Sequence, residues 1–187
     1  PPDRAILDLD DETIDQVALS YISIQQPRAL RIGNVQAVIP GGIDLSPWHQ
    51  FALTILTQSI GTRPIYFASS GNAADELGVG SFLVRHGLAF RLRNADPEQP
   101  PEDIVRIGDT PLRGITGPAV NIPRTELLLE RVFLHRSGLP EWEYWPDHST
   151  IGIPNYYAWA YYALAQAAAQ AGDTARTQVF STQANLW

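Results

Sequence analysis

Lysine, methionine and cysteine are all missing from this 187-residue sequence. All 13 basic residues are therefore arginine, and against 20 acidic residues they leave a net charge of −7. That balance excludes a clustered basic surface of the kind phosphate backbones require, so nucleic acid is not an expected partner. The arginines are spread from Arg4 to Arg176, which also argues against a polybasic anchor on anionic lipid. The lack of cysteine removes disulfides, thiolate metal sites and cysteine nucleophiles. The lack of methionine means that the sequence does not open at a translation start. The expectation is a processed piece of a larger native product, with a trimmed recombinant domain as the competing account. Charged residues make up only 18% of the chain and hydrophobic ones 44%, enough to fill a core. The length suits one domain, or one compact domain with an appended motif.

Turn and periodicity signals divide the chain. Asp8-Leu9-Asp10-Asp11-Glu12 precedes apolar residues at helical spacing, Ile14, Val17, Ala18, Tyr21 and Ile22, in an element that Pro27 ends. The same acids resemble part of a calcium loop, but the loop glycine and the distal glutamate are missing, so a helix start is preferred. Residues 29–32 and 35–39 predict two strands around Gly33-Asn34, closed by Pro40-Gly41-Gly42. Ser46-Pro47 opens a helix with Trp48, Phe51, Ala52, Ile55 and Leu56 on its predicted buried face and Gly61 at its C-terminal end. A short strand is expected over 64–68, and a short helix over 73–84 broken near Gly78 and Gly80. Another strand follows over 88–93, then an exposed loop over 96–101 and a weaker strand-and-turn region over 104–115. Pro123 opens a helix with Leu128, Leu129, Val132 and Phe133 on one face, ending at Gly138-Leu139-Pro140. The last segment, 156–187, reads as two helices hinged at Gly172-Asp173. The fold class is thus α+β or α/β, a small mixed sheet packed with helices and followed by a helical hairpin. The domain reading is a core over 1–140, then an aromatic-rich connection and hairpin over 141–187.

No catalytic constellation emerges. His49, His86, His135 and His148 show no His-x-x-x-His or His-Glu-x-x-His spacing and are read as surface or hydrogen-bonded residues, without metal. Ser69-Ser70-Gly71 lacks the Gly-x-Ser-x-Gly of a nucleophile turn. Gly78-Val79-Gly80 lacks the third glycine and the preceding strand of a dinucleotide loop, so no cofactor is expected. The most unusual stretch is Glu141-Trp142-Glu143-Tyr144-Trp145-Pro146-Asp147-His148, with Tyr156, Tyr157 and Trp159 soon after. Three readings stay open for these aromatics: packing of the tail, anchors of a protein interface, or stacking platforms for a sugar. A paired-carboxylate glycosidase needs a separation that sequence does not supply. Residues 149–172 carry no formal charge, but Pro154, Asn155, Gln166 and Gln170 oppose a membrane span.

Two resemblances add to this. Tyr161-x-x-Leu164-Ala165-x-x-Ala168, Gly172-Asp173 and Ala184 resemble one tetratricopeptide repeat, with Thr177 in place of its small alanine and Phe180 one position from its usual aromatic. A single repeat forms no groove, so the resemblance implies a capping hairpin. Arg63-Pro64-Ile65-Tyr66-Phe67-Ala68, with Leu77-Gly78-Val79-Gly80-x-Phe82-Leu83-Val84-Arg85-x-Gly87-Leu88-Ala89-Phe90-Arg91-Leu92, resembles a block of certain bacterial membrane proteins. These are the protein O-mannosyltransferase-like membrane proteins with domain of unknown function 2723. The resemblance spans about 44–93 and the repeat-like tail. It implies a soluble region outside the membrane, periplasmic or otherwise extracytoplasmic and peripheral to the bilayer. The family's sugar-transfer chemistry belongs to a many-pass half that this sequence lacks, so no catalytic residue is carried over.

The functional expectation is a non-catalytic domain that docks on and stabilises a membrane protein complex, energy-transducing ones (respiratory or photosynthetic) included, through Trp142, Tyr144, Trp145, Tyr156, Tyr157 and Trp159. The alternative is an accessory domain of a membrane glycosyltransferase-like protein, binding a glycan or an acceptor protein. A soluble hydrolase is the remaining reading.

Overall fold

A computed structural model describes residues 7–68, 72–98, 100–108, 113–133, 138–144 and 150–187. The elements begin with helix α1 (Asp11–Ala18), capped by Asp10, whose carboxylate accepts from the Thr13 amide at 2.7 Å. That bond holds the Asp10 carboxyl below its ordinary range. Asp10 is thus a helix cap, as a start signal requires.

The helix is shorter than its periodicity predicts. It stops at Leu19, where the Ser20 amide and hydroxyl both turn back to the Val17 carbonyl. Gln50 Nε2 then donates to the Ser20 carbonyl at 3.1 Å. Ile22 therefore enters a strand, β1 (Ile22–Ile24), and Tyr21 faces solvent. Strand β1 pairs antiparallel with β4 (Ile43–Leu45), which directly follows the Gly41-Gly42 turn. Between them lies the expected hairpin of β2 (Arg28–Ile32) and β3 (Val35–Ile39), with Arg28 opposite Ile39 and Ile32 opposite Val35.

Helix α2 (Pro47–Ser59) starts and ends as its Ser-Pro and glycine signals imply, and Gly61 takes a φ of +82°. Its first turn departs from expectation: Trp48 is 47% exposed and His49 is buried. The His49 ring satisfies both nitrogens, accepting at Nδ1 from the Ser46 amide and bonding through Nε2 to Glu76 of α3 (Asn72–Glu76) at 2.8 Å. A ring with both nitrogens bonded loses little on burial. Trp48 stacks on its outer side, centroids 3.7 Å apart.

The short strand β5 is Tyr66–Phe67. The helix expected over 73–84 covers only its first part. Gly78 turns at φ +71°, where a Cβ would meet the Val38 carbonyl, so this close approach requires glycine. After a 3-10 turn (Gly80–Phe82), the chain becomes strand β6 (Leu83–His86), buried at all four positions. Strand β7 (Ala89–Leu92) follows. With β8 (Ile104–Arg106) and β9 (Ala119–Asn121) these form a five-stranded mixed sheet in the order β5-β7-β6-β9-β8. Strand β9 runs parallel to β6 and antiparallel to β8.

A short helix, α4 (Arg113–Thr116), precedes β9. Asn121 caps α5 (Ile122–Leu127), which widens into a π turn at Leu128–Val132. The π turn shifts the angular register, so Leu129 is buried while Val132 faces solvent instead of sharing its face. The helix ends at Phe133, ahead of the expected stop. A helical hairpin closes the fold: α6 (Ile153–Gln170) and α7 (Thr174–Leu186), joined through Gly172 at φ +75° and capped by Asp173.

These elements group into two compact units. One comprises Pro1–Phe67, Gly71–Phe82 and Arg91–Gln99; the other comprises residues 68–70, Leu83–Phe90 and Pro100–Trp187. The second unit has a continuous core of Ile107, Val120, Leu129, Leu164, Phe180 and the buried alanines of α6. Within it Arg85 is 2% exposed and donates to the carbonyls of Thr116 (2.9 Å), Gly87 (3.0 Å) and Ile115. Its guanidinium lies 4.3 Å from the centre of the Phe90 ring. Burial lowers its pKa to about 9, so it stays charged at neutral pH. Gly117, at φ +84°, is required there because a Cβ would strike Phe90.

Candidate functional site

Helix α6 is the platform for most of the sequence-nominated aromatics. Pro154 occupies its first turn, where a missing amide costs nothing, and alanine dominates thereafter. Small side chains let neighbouring backbones approach closely. Pro154, Ala160, Tyr161, Ala163, Leu164, Ala165, Ala167 and Ala168 are all buried, which includes the four specified residues of the Tyr161-x-x-Leu164-Ala165-x-x-Ala168 string. Helix α7 buries Phe180 against the same core, and Arg176 pairs with Glu126 of α5. The platform is therefore held from several sides.

With one side committed to the core, α6 presents a row of large side chains outward. Ile153, Tyr156, Trp159 and Tyr162 form an i, i+3 row; Ile153, Tyr156 and Tyr162 are exposed and Trp159 is half-buried. Tyr156 and Trp159 meet edge to face, centroids 5.2 Å apart, a geometry that fixes both rings.

Tyr157 has a different role. It stacks on Trp187, centroids 4.4 Å apart and planes within 15°, and meets the edge of Phe133 at 6.4 Å. It packs the end of the chain onto α6, and burial raises its hydroxyl pKa. Burial likewise raises that of Tyr161, with the negative charges of Glu130 and Glu126 adding to the effect.

Of the remaining nominated residues, Trp142 is 40% exposed and Tyr144 is 82% exposed, on the segment after a 3-10 turn at Leu139–Glu141. Glu141 and Glu143 are exposed beside them. Trp145 lies outside the described residues, as do His135, His148 and Ser69-Ser70-Gly71. The structure thus pairs Tyr156 with Trp159, assigns Tyr157 to packing, and leaves Trp142 and Tyr144 presented to solvent.

Among the described residues no three metal-ligating side chains converge. The closest approach to a catalytic arrangement among the described residues is Ser46 Oγ, 2.9 Å from His49 Nδ1, with Glu76 on the other ring nitrogen. Its chemistry is that of a cap. The Nδ1 lone pair already accepts the Ser46 amide at 3.1 Å, so the imidazole is committed to the helix start rather than held open as a base.

Sequence reasoning missed a cleft in the first unit, of about 410 Å³, beneath α2 and between the two small sheets. Its walls come from five elements spread along the sequence from Ile22 to Gln58, and a one-residue alternation in β2 (Arg28, Leu30, Ile32) was the available signal. Compared with known protein families, curated proteins and solved structures, the chain has no match.

Proposed function

We propose that this chain is a non-catalytic binding domain that docks on a protein partner through the outer row of α6 together with Trp142 and Tyr144. The observation that carries the reading is the exposure of large aromatics on a helix whose opposite side is fully packed. Rigid aromatic side chains lose little conformational entropy on burial and dominate the energetics of protein interfaces. The resemblance of residues 63–92 to the outer region of many-pass membrane proteins directs the proposal to a membrane-embedded partner, a respiratory or photosynthetic assembly being one such class. Among the described residues no helix is long and apolar enough to cross a membrane, so contact would be made from the bilayer's periphery.

The test is co-purification from source membranes of the wild-type chain against Tyr144→Ala/Tyr156→Ala. Retention in a stoichiometric complex by the first, with at least tenfold loss by the second, is expected for anchors of this type, each costing about 1–2 kcal/mol. Equal retention removes the reading.

A glycan-binding reading is favoured by one observation, the exposed Trp142 between the exposed carboxylates of Glu141 and Glu143. Saturable binding of an oligosaccharide that Trp142→Ala abolishes, with no protein partner retained, would put this reading first.

A further inference from the structure

We infer that the cleft beneath α2 is a binding site for a single-chain anionic amphiphile, an acyl chain carrying a carboxylate or phosphate head held by Arg28. The site shares no residue with the α6 row, and the inference does not rest on the docking proposal.

The register of the β2–β3 hairpin creates the cleft. Arg28, Leu30 and Ile32 share one face of β2, directly opposite Ile39, Ala37 and Val35 of β3. On the β2 side of that face burial falls steadily: Ile32 is sealed, Leu30 is half-covered, and Arg28 is exposed, while Val35, Ala37 and Ile39 opposite them stay buried. The β2 side therefore opens toward the Arg28 end. Ile22, Ile24, Leu30, Ile39, Leu45 and Leu53 make its walls, drawn from β1 to β4 and α2. Only Ile24, Ile39 and Leu45 of these are fully buried; the rest leave apolar area available to a ligand.

The polar residues along the cleft are spent on the protein itself. Thr54 and Thr57 donate their hydroxyls to the carbonyls of Gln50 and Leu53 (2.9 and 2.7 Å). Gln50 Nε2 donates to the Ser20 and Leu45 carbonyls, and the Gln58 amide is bonded on both sides to the backbone of Asp8. Arg28 is the exception. It is the charged side chain of the lining, and no hydrogen bond or ion pair joins it to a described residue.

An apolar pocket with one unpaired cation at its mouth selects a ligand of matching polarity: apolar tail inside, one negative head outside. The volume fits. At about 410 Å³, and ~30 Å³ per small group as for a water in the liquid, it holds roughly a dozen methylenes.

The test uses the full chain and three soluble probes, dodecanoate, dodecanol and octanoate, titrated by calorimetry below their aggregation limits. Dodecanoate is expected to bind saturably at one site. Octanoate should bind about a hundredfold more weakly for its four lost methylenes. Dodecanol, and dodecanoate on Arg28→Gln, should each bind about tenfold more weakly for the lost charge-assisted bonds. Leu53→Trp should abolish binding by filling the cleft. Ile22→Asp, at an exposed rim position, provides a second variant whose folding is checked by its melt and which should also lose binding. Flotation with phosphatidylglycerol vesicles separates the sources. If it depends on Arg28 and Leu53, the chain is drawn from a bilayer; if flotation is absent while dodecanoate binds, the ligand comes free from solution. No saturable dodecanoate binding together with no Arg28-dependent flotation overturns the inference. So does dodecanoate binding that is indifferent to both Arg28→Gln and Ile22→Asp.

Discussion

The outer row of α6 and the cleft beneath α2 are both apolar surfaces, and they are built in opposite ways. The α6 row stands on a packed foundation: alanines and Leu164 fill the space behind it, and Tyr156 and Trp159 fix one another's rings. The cleft is a place where packing stops short. Its aliphatic walls converge on Ile24, Ile39 and Leu45 but leave about 410 Å³ open, with Arg28 at the mouth. A convex aromatic relief on a rigid support suits pockets in a macromolecule, whereas a concave aliphatic space with one charge suits a small amphiphile. Exposed apolar area alone therefore does not define a binding class; what lies behind it does.

The contrast can be broken most directly by truncating a leucine in each region. Leu164→Ala removes a fully buried side chain from a close-packed site and is expected to cost about 2–5 kcal/mol in denaturant unfolding. Leu53→Ala, beside space that is already open, is expected to cost about 1 kcal/mol. Equal costs would mean that the two regions are packed alike.

Neighbouring tyrosines sharpen the division between foundation and surface. Tyr157→Ala loses the stack on Trp187 and is expected to destabilise the fold by about 2 kcal/mol. Tyr156→Ala should stay within about 0.5 kcal/mol of wild type while weakening partner retention. A thermal melt and a pull-down on the same two variants separate these effects.

The foundation also carries a defect. The Gln166 side-chain oxygen is buried with no hydrogen-bond partner among the described residues. Replacing it by Gln166→Leu is expected to raise stability by about 1 kcal/mol, read as a higher Tm.

The smallest effect expected is alkaline. Burial first, then Glu130 and Glu126, raises the folded-state pKa of Tyr161 above its ordinary value of 10. The folded chain then holds that proton more tightly than the unfolded chain. The stabilisation is complete below pH 10 and is lost as pH rises through the folded-state pKa. Tyr161→Phe should therefore leave stability at pH 7 nearly unchanged and flatten the decline above pH 10, measured as the wild-type minus variant difference.

Elements governed by local chemistry were legible in the sequence. Ser46-Pro47 and Gly61 bounded α2, Gly33-Asn34 set the β2–β3 hairpin, and Gly172-Asp173 divided α6 from α7. Elements governed by distant partners were not. Strands β1, β4, β6 and β9 are three or four residues long and exist through pairing, as when Arg85 lines up with Val120. The same holds within α2, where apolar spacing placed Trp48 inward, but Glu76 and the Ser46 amide satisfied His49 and drew it in instead. Composition singled out Trp142, Tyr144 and Tyr156 because aromatic density is a property of sequence alone. The cleft escaped notice because Arg28 and Leu53 are ordinary residues whose meaning depends on the hairpin register and the position of α2.

The central claim, that the aromatic surface of α6 and 142–144 is a protein-docking face, is tested most directly by site-specific photo-crosslinking in the source membrane. A photoreactive residue is placed at position 144 or 156, with position 38 as an equally apolar, exposed control on β3. One dominant protein adduct from 144 and 156, absent from 38, is the expected result. Adducts of the same pattern from all three positions, or none from 144 and 156, would contradict it.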